Sequence, residues 1–173
     1  MEIKLSNLIS EGRTMARVKA RSKKHALEIL SEMLAEALPP DPETGDRLSL
    51  TNAVMEALVQ REKLGGTGLG GGIALPHGAL TLAPQMVGAV ITLQQPVDYE
   101  TPDGEPVDLI IALIAPAPAG DEHREMLDLT SRVLSSHTGK CPLRSALTSK
   151  ELHAALACVD EALAAESRVA EAG

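Results

Sequence analysis

The sequence predicts an α/β fold in which helices cover a buried sheet. Segments with helical apolar spacing alternate with two nearly continuous apolar runs rich in β-branched residues, 87–93 and 107–114. Such runs are typical of strands that are buried on both faces. A chain of 173 residues is also long enough to bury a sizeable core as one domain, with the core expected over roughly residues 3–160.

The first helix is expected to begin after Ser22, which can cap it, and to reach Leu38. Its apolar side chains recur at helical spacing, at Leu27, Leu30, Leu34 and Leu38. Residues 39–47 are dense in turn-forming residues and predict an exposed loop. A second helix is expected over about residues 50–63, and Gly65 is well placed to end it.

The second half of the chain supplies the two strands and two more helices. Residues 95–104 are rich in turn formers and are expected to connect the strands. Asp121 is expected to open a third helix that reaches Ser136. Its inward positions are Met126, Leu129, Thr130, Val133 and Leu134. Ser149 is expected to open the last helix, which ends near Ala165 and leaves residues 166–173 as a frayed tail.

Charge and composition narrow the classes of function. The net charge is −8, and an acidic surface repels both nucleic acid and anionic lipid, so we expect neither as a partner. No apolar stretch is long enough to span a bilayer, and the first residues lack the apolar core of a signal peptide. We therefore expect no membrane insertion and a cytoplasmic location. With one Tyr and no Phe or Trp, platforms for base stacking are also missing.

The basic run at residues 17–24 holds five Lys or Arg side chains. We interpret it as the solvated start of a helix, with a docking patch for an acidic partner as the alternative. Cys141 and Cys158 lie 17 residues apart and form no CxxC motif. We expect reduced structural thiols, and a regulatory disulfide is the alternative.

A glycine-rich segment at residues 65–72 raises the question of nucleotide binding. Gly66, Gly68 and Gly71 formally satisfy G-x-G-x-x-G. The dinucleotide motif requires a preceding strand, a following helix and an acid about 20 residues later, and none of these is predicted here. No Lys-Ser or Lys-Thr closes the segment, so it is not a P-loop either. It is either a flexible loop or a backbone that passes close to a reactive group.

His77 is the candidate for that reactive group. It stands between Pro76 and Gly78, so we expect it on a turn, with its ring held but exposed. His123 is a second candidate because it lies in the first turn of a predicted helix, where unpaired N–H groups favour an anion. Arg61 ends the second helix directly before the glycines and could hold a phosphoryl oxygen.

Two of these three residues, His123 and Arg61, also have an ordinary structural explanation. His123 could simply belong to a solvated helix start, and Arg61 could be a surface side chain that is favourable at a helix C-terminus. A zinc site built from His77, His123 and Asp121 is conceivable, but no closely spaced ligand pair supports it. We therefore expect no metal and no cofactor.

Residues 61–78 resemble the active-site signature of the enzyme IIA domains of the bacterial phosphotransferase system. The resemblance is to the fructose/mannitol type, which includes the nitrogen-regulatory IIA proteins. The family pattern is Arg-Glu, then a Ser-Thr-Gly-x-Gly loop, then Ala-x-Pro-His. Here these elements are Arg61-Glu62, the glycine segment and Ala74-Leu75-Pro76-His77. The order of elements agrees over roughly residues 3–160.

The resemblance implies a mixed sheet flanked by helices on both sides. It implies that His77 is phosphorylated by the small carrier protein HPr or a regulatory counterpart, with His123 as the second active-site histidine and Arg61 as the supporting arginine. The loop positions implied around the phosphoryl group are Thr67, Gly68, Gly70 and Gly78. The next partner would be a IIB protein in transport, through a cysteine, or a target protein in regulation; a stand-alone IIA favours regulation.

This chain departs from the family pattern in two places. Gly66 stands where the family often has Ser, which removes a hydroxyl near the site. The loop at residues 39–47 also looks longer than usual. Neither change removes a residue that the expected chemistry needs, so the resemblance still predicts a phosphocarrier.

Overall fold

The computed structural model describes residues 4–137 and 141–173 as a mixed sheet between two layers of helices. The helices within this part of the chain are α1 Leu5–Leu8, α2 Lys23–Glu36, α3 Arg47–Lys63, α4 Asp121–His137 and α5 Ser149–Ala172. The strands are β1 Thr14–Val18, β2 Gly68–Gly70, β3 Ile73–Ala74, β4 His77–Leu80, β5 Val87–Val97 and β6 Val107–Pro116.

The long strand β6 is the centre of the sheet. The order is β1-β5-β6-β3-β2, and β4 pairs with β6 beyond the end of β3. The pairs β1·β5, β3·β6 and β4·β6 are parallel, whereas β5·β6 and β2·β3 are antiparallel. The expected mixed sheet is thereby confirmed.

Alternate residues of β6 point to opposite faces, as strand geometry requires. Leu109, Ile111 and Leu113 pack with α1, α4 and α5. Ile110, Ala112 and Ile114 pack with α2 and α3. Both faces are therefore buried, which explains why the sequence of β6 shows a continuous apolar run and no alternation. This confirms the prediction of helices on both sides.

Most of the predicted helix starts are observed within one to three residues. Ser22 caps α2 by accepting a hydrogen bond from the backbone N–H of His25. Helix α3 begins earlier than predicted because Asp46 caps it, accepting from Leu48 N and Ser49 N. Thr148 caps α5 through Glu151 N. Each cap satisfies backbone donors that the first turn of a helix leaves unpaired.

Three expectations about elements are wrong. Helix α5 continues to Ala172 instead of ending near Ala165, so residues 166–172 are helical and not frayed. The basic run is not a helix start, because Arg17 lies in β1 and only its last two lysines belong to α2. His77 begins strand β4 and does not lie on a turn, because the segment after Pro76 pairs in parallel with β6.

The two cysteines form a disulfide, contrary to the expectation of reduced thiols. Cys141 follows α4 and Cys158 lies in α5, with their Cα atoms 5.7 Å apart. The packing of these segments against each other brings the thiols within bonding reach, although the sequence contains no CxxC motif.

Candidate active site

Five of the seven predicted site residues line one cleft of about 450 Å³ at one edge of the sheet. Its walls are the end of α3, the glycine segment, the start of β4 and the first turns of α4. Arg61, Thr67, Gly68, His77 and His123 all line it. Sequence positions spread over more than 60 residues are thus brought to a single surface by the sheet and the two helices.

The imidazole of His77 is held by a hydrogen bond at each nitrogen. Its Nδ1 lies 2.9 Å from the carbonyl oxygen of Leu75, and its Nε2 lies 3.2 Å from Nε of Arg61. A guanidinium nitrogen can only donate, so Nε2 accepts and Nδ1 carries the proton. The ring is therefore fixed as the tautomer in which Nε2 carries no proton and accepts from Arg61 at the wall of the cleft.

His77 is favoured in its neutral form. Burial lowers its pKa, and the positive charge of Arg61 lowers it further. The hydrogen bond to Leu75 and the carboxylate of Glu62 act in the opposite direction, but the net effect is a pKa below 6.5. A neutral imidazole is the nucleophilic form, so the site keeps it available at neutral pH.

Arg61 reaches the cleft because it lies in the last turn of α3. Its Nη1 donates to the carbonyl oxygen of Gly65 at 2.8 Å, while its Nε bonds His77. The backbone of Gly65 has φ +148°, a conformation that side chains rarely adopt, and it turns the chain from the helix into the glycine segment. Arg61 is thereby fixed against both the loop and the imidazole.

His123 lies in the first turn of α4 and lines the same cleft as His77. Its Nδ1 is buried and has no hydrogen-bond partner among the described residues. The unpaired N–H groups of the same helix turn favour an anion.

The four positions that the resemblance places around the phosphoryl group have different surroundings. Thr67 and Gly68 line the cleft. Gly70 lies against the side chain of Asp103, and Gly78 packs so closely on Ala57 that a Cβ there would approach its backbone to 3.2 Å. The last two positions therefore serve the shape of the loop and of β4, and the first two form the wall of the cleft.

Sequence reasoning missed a polar network behind this wall, centred on Glu62. Its carboxylate accepts hydrogen bonds from Lys23, from Tyr99, and from both the hydroxyl and the backbone N–H of Thr67. Tyr99 is the single aromatic residue of the chain. Two features of the sequence could have pointed to this network: Tyr99 is the one aromatic residue, and Glu62 directly follows Arg61.

Two other predictions concern nucleotides and metals. A helix, not a strand, precedes Gly66, and the two-residue strand β3 follows the segment, so the glycines lack the setting of a dinucleotide motif. Within residues 4–137 and 141–173, no three His, Cys, Asp or Glu side chains are grouped to hold a metal ion. No helix in this part of the chain is long and apolar enough to cross a bilayer.

Known proteins have a similar sequence and a similar fold. The chain is 38% identical over 152 residues to a nitrogen regulatory protein of Pseudomonas aeruginosa, covering 87% of this chain and 93% of that protein. The crystal structure of nitrogen regulatory protein IIA-Ntr from Neisseria meningitidis superimposes with a TM-score of 0.75 at 31% identity, covering 88% of this chain and 98% of that one.

A more distant structure shares the fold. It is the complex of enzyme IIAMTL and phosphorylated enzyme IIBMTL from Escherichia coli, in which the matching chain has a TM-score of 0.62 at 21% identity. The match covers 87% of this chain and 99% of that one. Residues 7–158 also match the family model described as "Phosphoenolpyruvate-dependent sugar phosphotransferase system, EIIA 2". The chain therefore belongs to the EIIA 2 family of the phosphoenolpyruvate-dependent sugar phosphotransferase system.

Proposed function

We propose that this protein is a phosphocarrier that accepts a phosphoryl group on Nε2 of His77 from the phosphohistidine of an HPr-like carrier. One observation carries the proposal: Leu75 and Arg61 fix the imidazole, which lines the cleft, in the tautomer whose Nε2 carries no proton and can act as a nucleophile. Family membership supports the reaction class, since phosphoryl transfer is what this system performs.

The proposed transfer needs no proton movement at His77. The Nε2 lone pair forms a bond to phosphorus while the N–P bond of the donor histidine breaks, and that electron pair returns to the donor ring. Nδ1 of His77 keeps its proton and its hydrogen bond to Leu75 throughout. Such transfers depend mainly on positioning and on stabilising charge at the phosphoryl oxygens.

Three groups around the cleft are proposed to supply that stabilisation. The guanidinium of Arg61 leaves Nε2 as the bond to phosphorus forms and turns to a phosphoryl oxygen. The ring of His123 donates a hydrogen bond, together with the first N–H groups of α4. Thr67 and Gly68 shape the wall nearest the transferred group, and Gly70 and Gly78 act through the backbone of the loop and of β4.

The regulatory role is proposed over the transport role. Relatives that align over most of their own length are named nitrogen regulatory protein, whereas the mannitol-type structure shares only the fold. We propose that the protein works in the cytoplasm and that its phosphorylation state decides which target protein it binds. The alternative is a transport IIA that passes the group to a cysteine of a IIB protein.

Phosphorylation is tested by intact-mass measurement after incubation with phosphoenolpyruvate, enzyme I and an HPr-like protein. We expect a single phosphoryl adduct on the protein and none on His77→Ala. His25→Ala is the matched control, because His25 lies at the start of α2 and should retain the adduct. No adduct on the wild-type protein, or one that persists in His77→Ala, would contradict the proposal.

The two roles are separated by offering the phosphorylated protein to a purified mannitol-type IIB domain. If the regulatory assignment is right, the adduct stays on this protein over the time in which a cognate IIA donates its own. Rapid appearance of phosphocysteine on IIB would show that the transport alternative is correct.

A further inference from the structure

We infer that Glu62, held by Lys23 and Tyr99, is a positioning residue that sets the tautomer of His77 through the backbone of Thr67 and Leu75. This inference rests on the proposed phosphorylation of His77. None of the three side chains needs to touch the phosphoryl group. Their role is to fix the position of the cleft wall at Thr67 relative to Nε2 of His77.

The carboxylate of Glu62 is fully occupied by donors from three separate parts of the fold. One oxygen accepts from the hydroxyls of Thr67 and Tyr99, the latter at 2.8 Å. The other accepts from Nζ of Lys23 at 2.9 Å and from Thr67 N at 3.2 Å. A carboxylate that receives four such bonds has one defined orientation, so it can serve as a fixed anchor.

This anchor is charged although it is buried. The Glu62 side chain is only 6% exposed, and burial alone would raise its pKa. The hydrogen bonds from Thr67, Lys23 and Tyr99 outweigh burial and hold the pKa below its usual range. Lys23 supplies the balancing positive charge, and its Nζ also lies 4.2 Å from the centre of the Tyr99 ring.

A continuous set of hydrogen bonds joins Glu62 to the imidazole. Thr67 uses its backbone N–H and its hydroxyl on Glu62, and its carbonyl oxygen accepts from the N–H of Leu75 at 3.0 Å. The carbonyl oxygen of Leu75 then accepts the Nδ1 proton of His77 at 2.9 Å. The position of the Leu75 carbonyl, and with it the preferred tautomer, therefore depends on where Thr67 is held.

The segment that follows Tyr99 also packs closely against the glycine segment. The backbone around Gly68 approaches residues 100 and 101 so closely that a Cβ on Gly68 would lie 2.3 Å from the carbonyl oxygen of Glu100. Gly66 has the same neighbour at 3.1 Å. Glycines have no side chains that could anchor a loop. The Glu62–Thr67 hydrogen bonds and the packing of residues 100 and 101 therefore hold the glycine segment in place.

Two hydrogen bonds favour the Nδ1–H tautomer, one to Leu75 O and one from Arg61 Nε. Loss of the anchoring weakens the first and so raises the population of the tautomer that carries its proton on Nε2 and lacks the nucleophilic lone pair there. The network would then affect the rate of transfer more than the binding of the donor. A displacement of reacting groups by a fraction of an ångström is enough to lower a rate on the order of tenfold.

The test compares Lys23→Met, Tyr99→Phe and Glu62→Gln with the matched control Lys24→Met. Lys24 is the exposed neighbour of Lys23 on the first turn of α2, and Lys23→Arg is the conservative rescue. Single-turnover phosphorylation is measured over a range of phosphorylated HPr-like protein. The tautomer of His77 is read from the nitrogen chemical shifts of its ring.

We expect the three network variants to lower the maximal rate on the order of tenfold, with little change in the donor concentration at half-maximal rate. Their His77 rings should show a larger fraction of the Nε2–H tautomer, whereas Lys24→Met and Lys23→Arg should match the wild type. A normal tautomer and rate in Lys23→Met and Tyr99→Phe would overturn the inference. That result would leave the proposed function standing, because wild-type phosphorylation is measured in the same experiment.

Discussion

At the scale of single residues, the site combines a nucleophile with the groups that keep it uncharged. Burial and the guanidinium of Arg61 both lower the pKa of His77, and the same guanidinium bonds the nitrogen proposed to attack phosphorus. Arg61 therefore favours the neutral ring in the free protein, and in the proposed reaction it would bind the phosphoryl oxygens once the new bond forms. One side chain can fill both roles because they occur at different stages of the reaction.

The lowered pKa of His77 predicts the pH dependence of phosphorylation. Only the neutral ring attacks, so the rate should be constant above the pKa and fall about tenfold per pH unit below it. Because burial and the charge of Arg61 lower the pKa of His77, the rate should begin to fall at a lower pH than it would for an unperturbed imidazole. Proton NMR titration of the ring locates the pKa independently of the donor protein.

Arg61→Gln is the matched variant for this titration. It removes one of the two causes that lower the pKa, so the midpoint of the His77 titration should move to higher pH. A midpoint that is unchanged or lower in Arg61→Gln would contradict the electrostatic role assigned to Arg61.

At the scale of elements, the glycine segment connects α3 to the sheet. Gly65 turns the chain out of the helix, and the backbone of Gly68 fits against residues 100 and 101 with no room for a side chain. The glycines were predicted to allow close approach to a reactive group. In the structure, Gly68 lines the cleft and also permits close approach to a neighbouring backbone, which explains why a flexible residue lies in a fixed position.

Gly68→Ala should therefore displace β2 and the neighbouring Thr67. Its Cβ would lie 2.6 Å from Cγ2 of Thr101 as well as 2.3 Å from Glu100 O, so backbone must move. We expect a loss of about 1–3 kcal/mol in the free energy of unfolding, together with slower phosphorylation. Urea unfolding and the single-turnover rate measure the two effects.

Gly12→Ala is the control for Gly68→Ala, because its Cβ would meet only Ser10 Oγ at an ordinary 3.7 Å. It should leave both measurements close to those of the wild type. If Gly68→Ala is equally harmless, the close packing of the glycine segment does not constrain the site.

At the scale of the whole molecule, the mixed sheet decides where the site forms. Strand β6 runs parallel to both β3 and β4, so the glycine segment, the start of β4 and the helix that follows β6 meet around one cleft. On the α5 side, Arg144 donates to Asp108 at 2.9 Å and to Gly71 O at 2.6 Å, which ties the segment after α4 to the glycine segment. The Cys141–Cys158 disulfide joins the same segment to α5.

Reduction of this disulfide should lower global stability. It closes a loop of 17 residues, for which the loss of chain entropy in the unfolded state corresponds to about 3 kcal/mol. Urea unfolding with and without a thiol reductant measures the difference. The double variant Cys141→Ala/Cys158→Ala should show the lower stability in both conditions; a wild-type protein insensitive to reductant would contradict the prediction.

Local patterns in the sequence were sufficient for the four long helices and for most of the two long strands, but not for the short helix α1. Side-chain period and capping residues are properties of neighbouring positions, so α2 and α4 were located to within about two residues. Strand β1 and the tail of α5 were missed because neither segment shows a clear local pattern. The first is short and contains Arg17 of the basic run, and the second is an exposed helix whose residues show little apolar pattern.

By itself, the sequence identified the three residues that are proposed for the site and that line one cleft: His77 next to Pro76, Arg61 before the glycines, and His123 at a helix start. These choices are readable because each depends on its immediate neighbours along the chain. The tertiary structure alone decided the tautomer of His77, the disulfide and the anchoring of Thr67 by Glu62. Those features depend on pairs such as Glu62 with Lys23 and Tyr99, which are 39 and 37 residues apart and meet only when helices and sheet pack together.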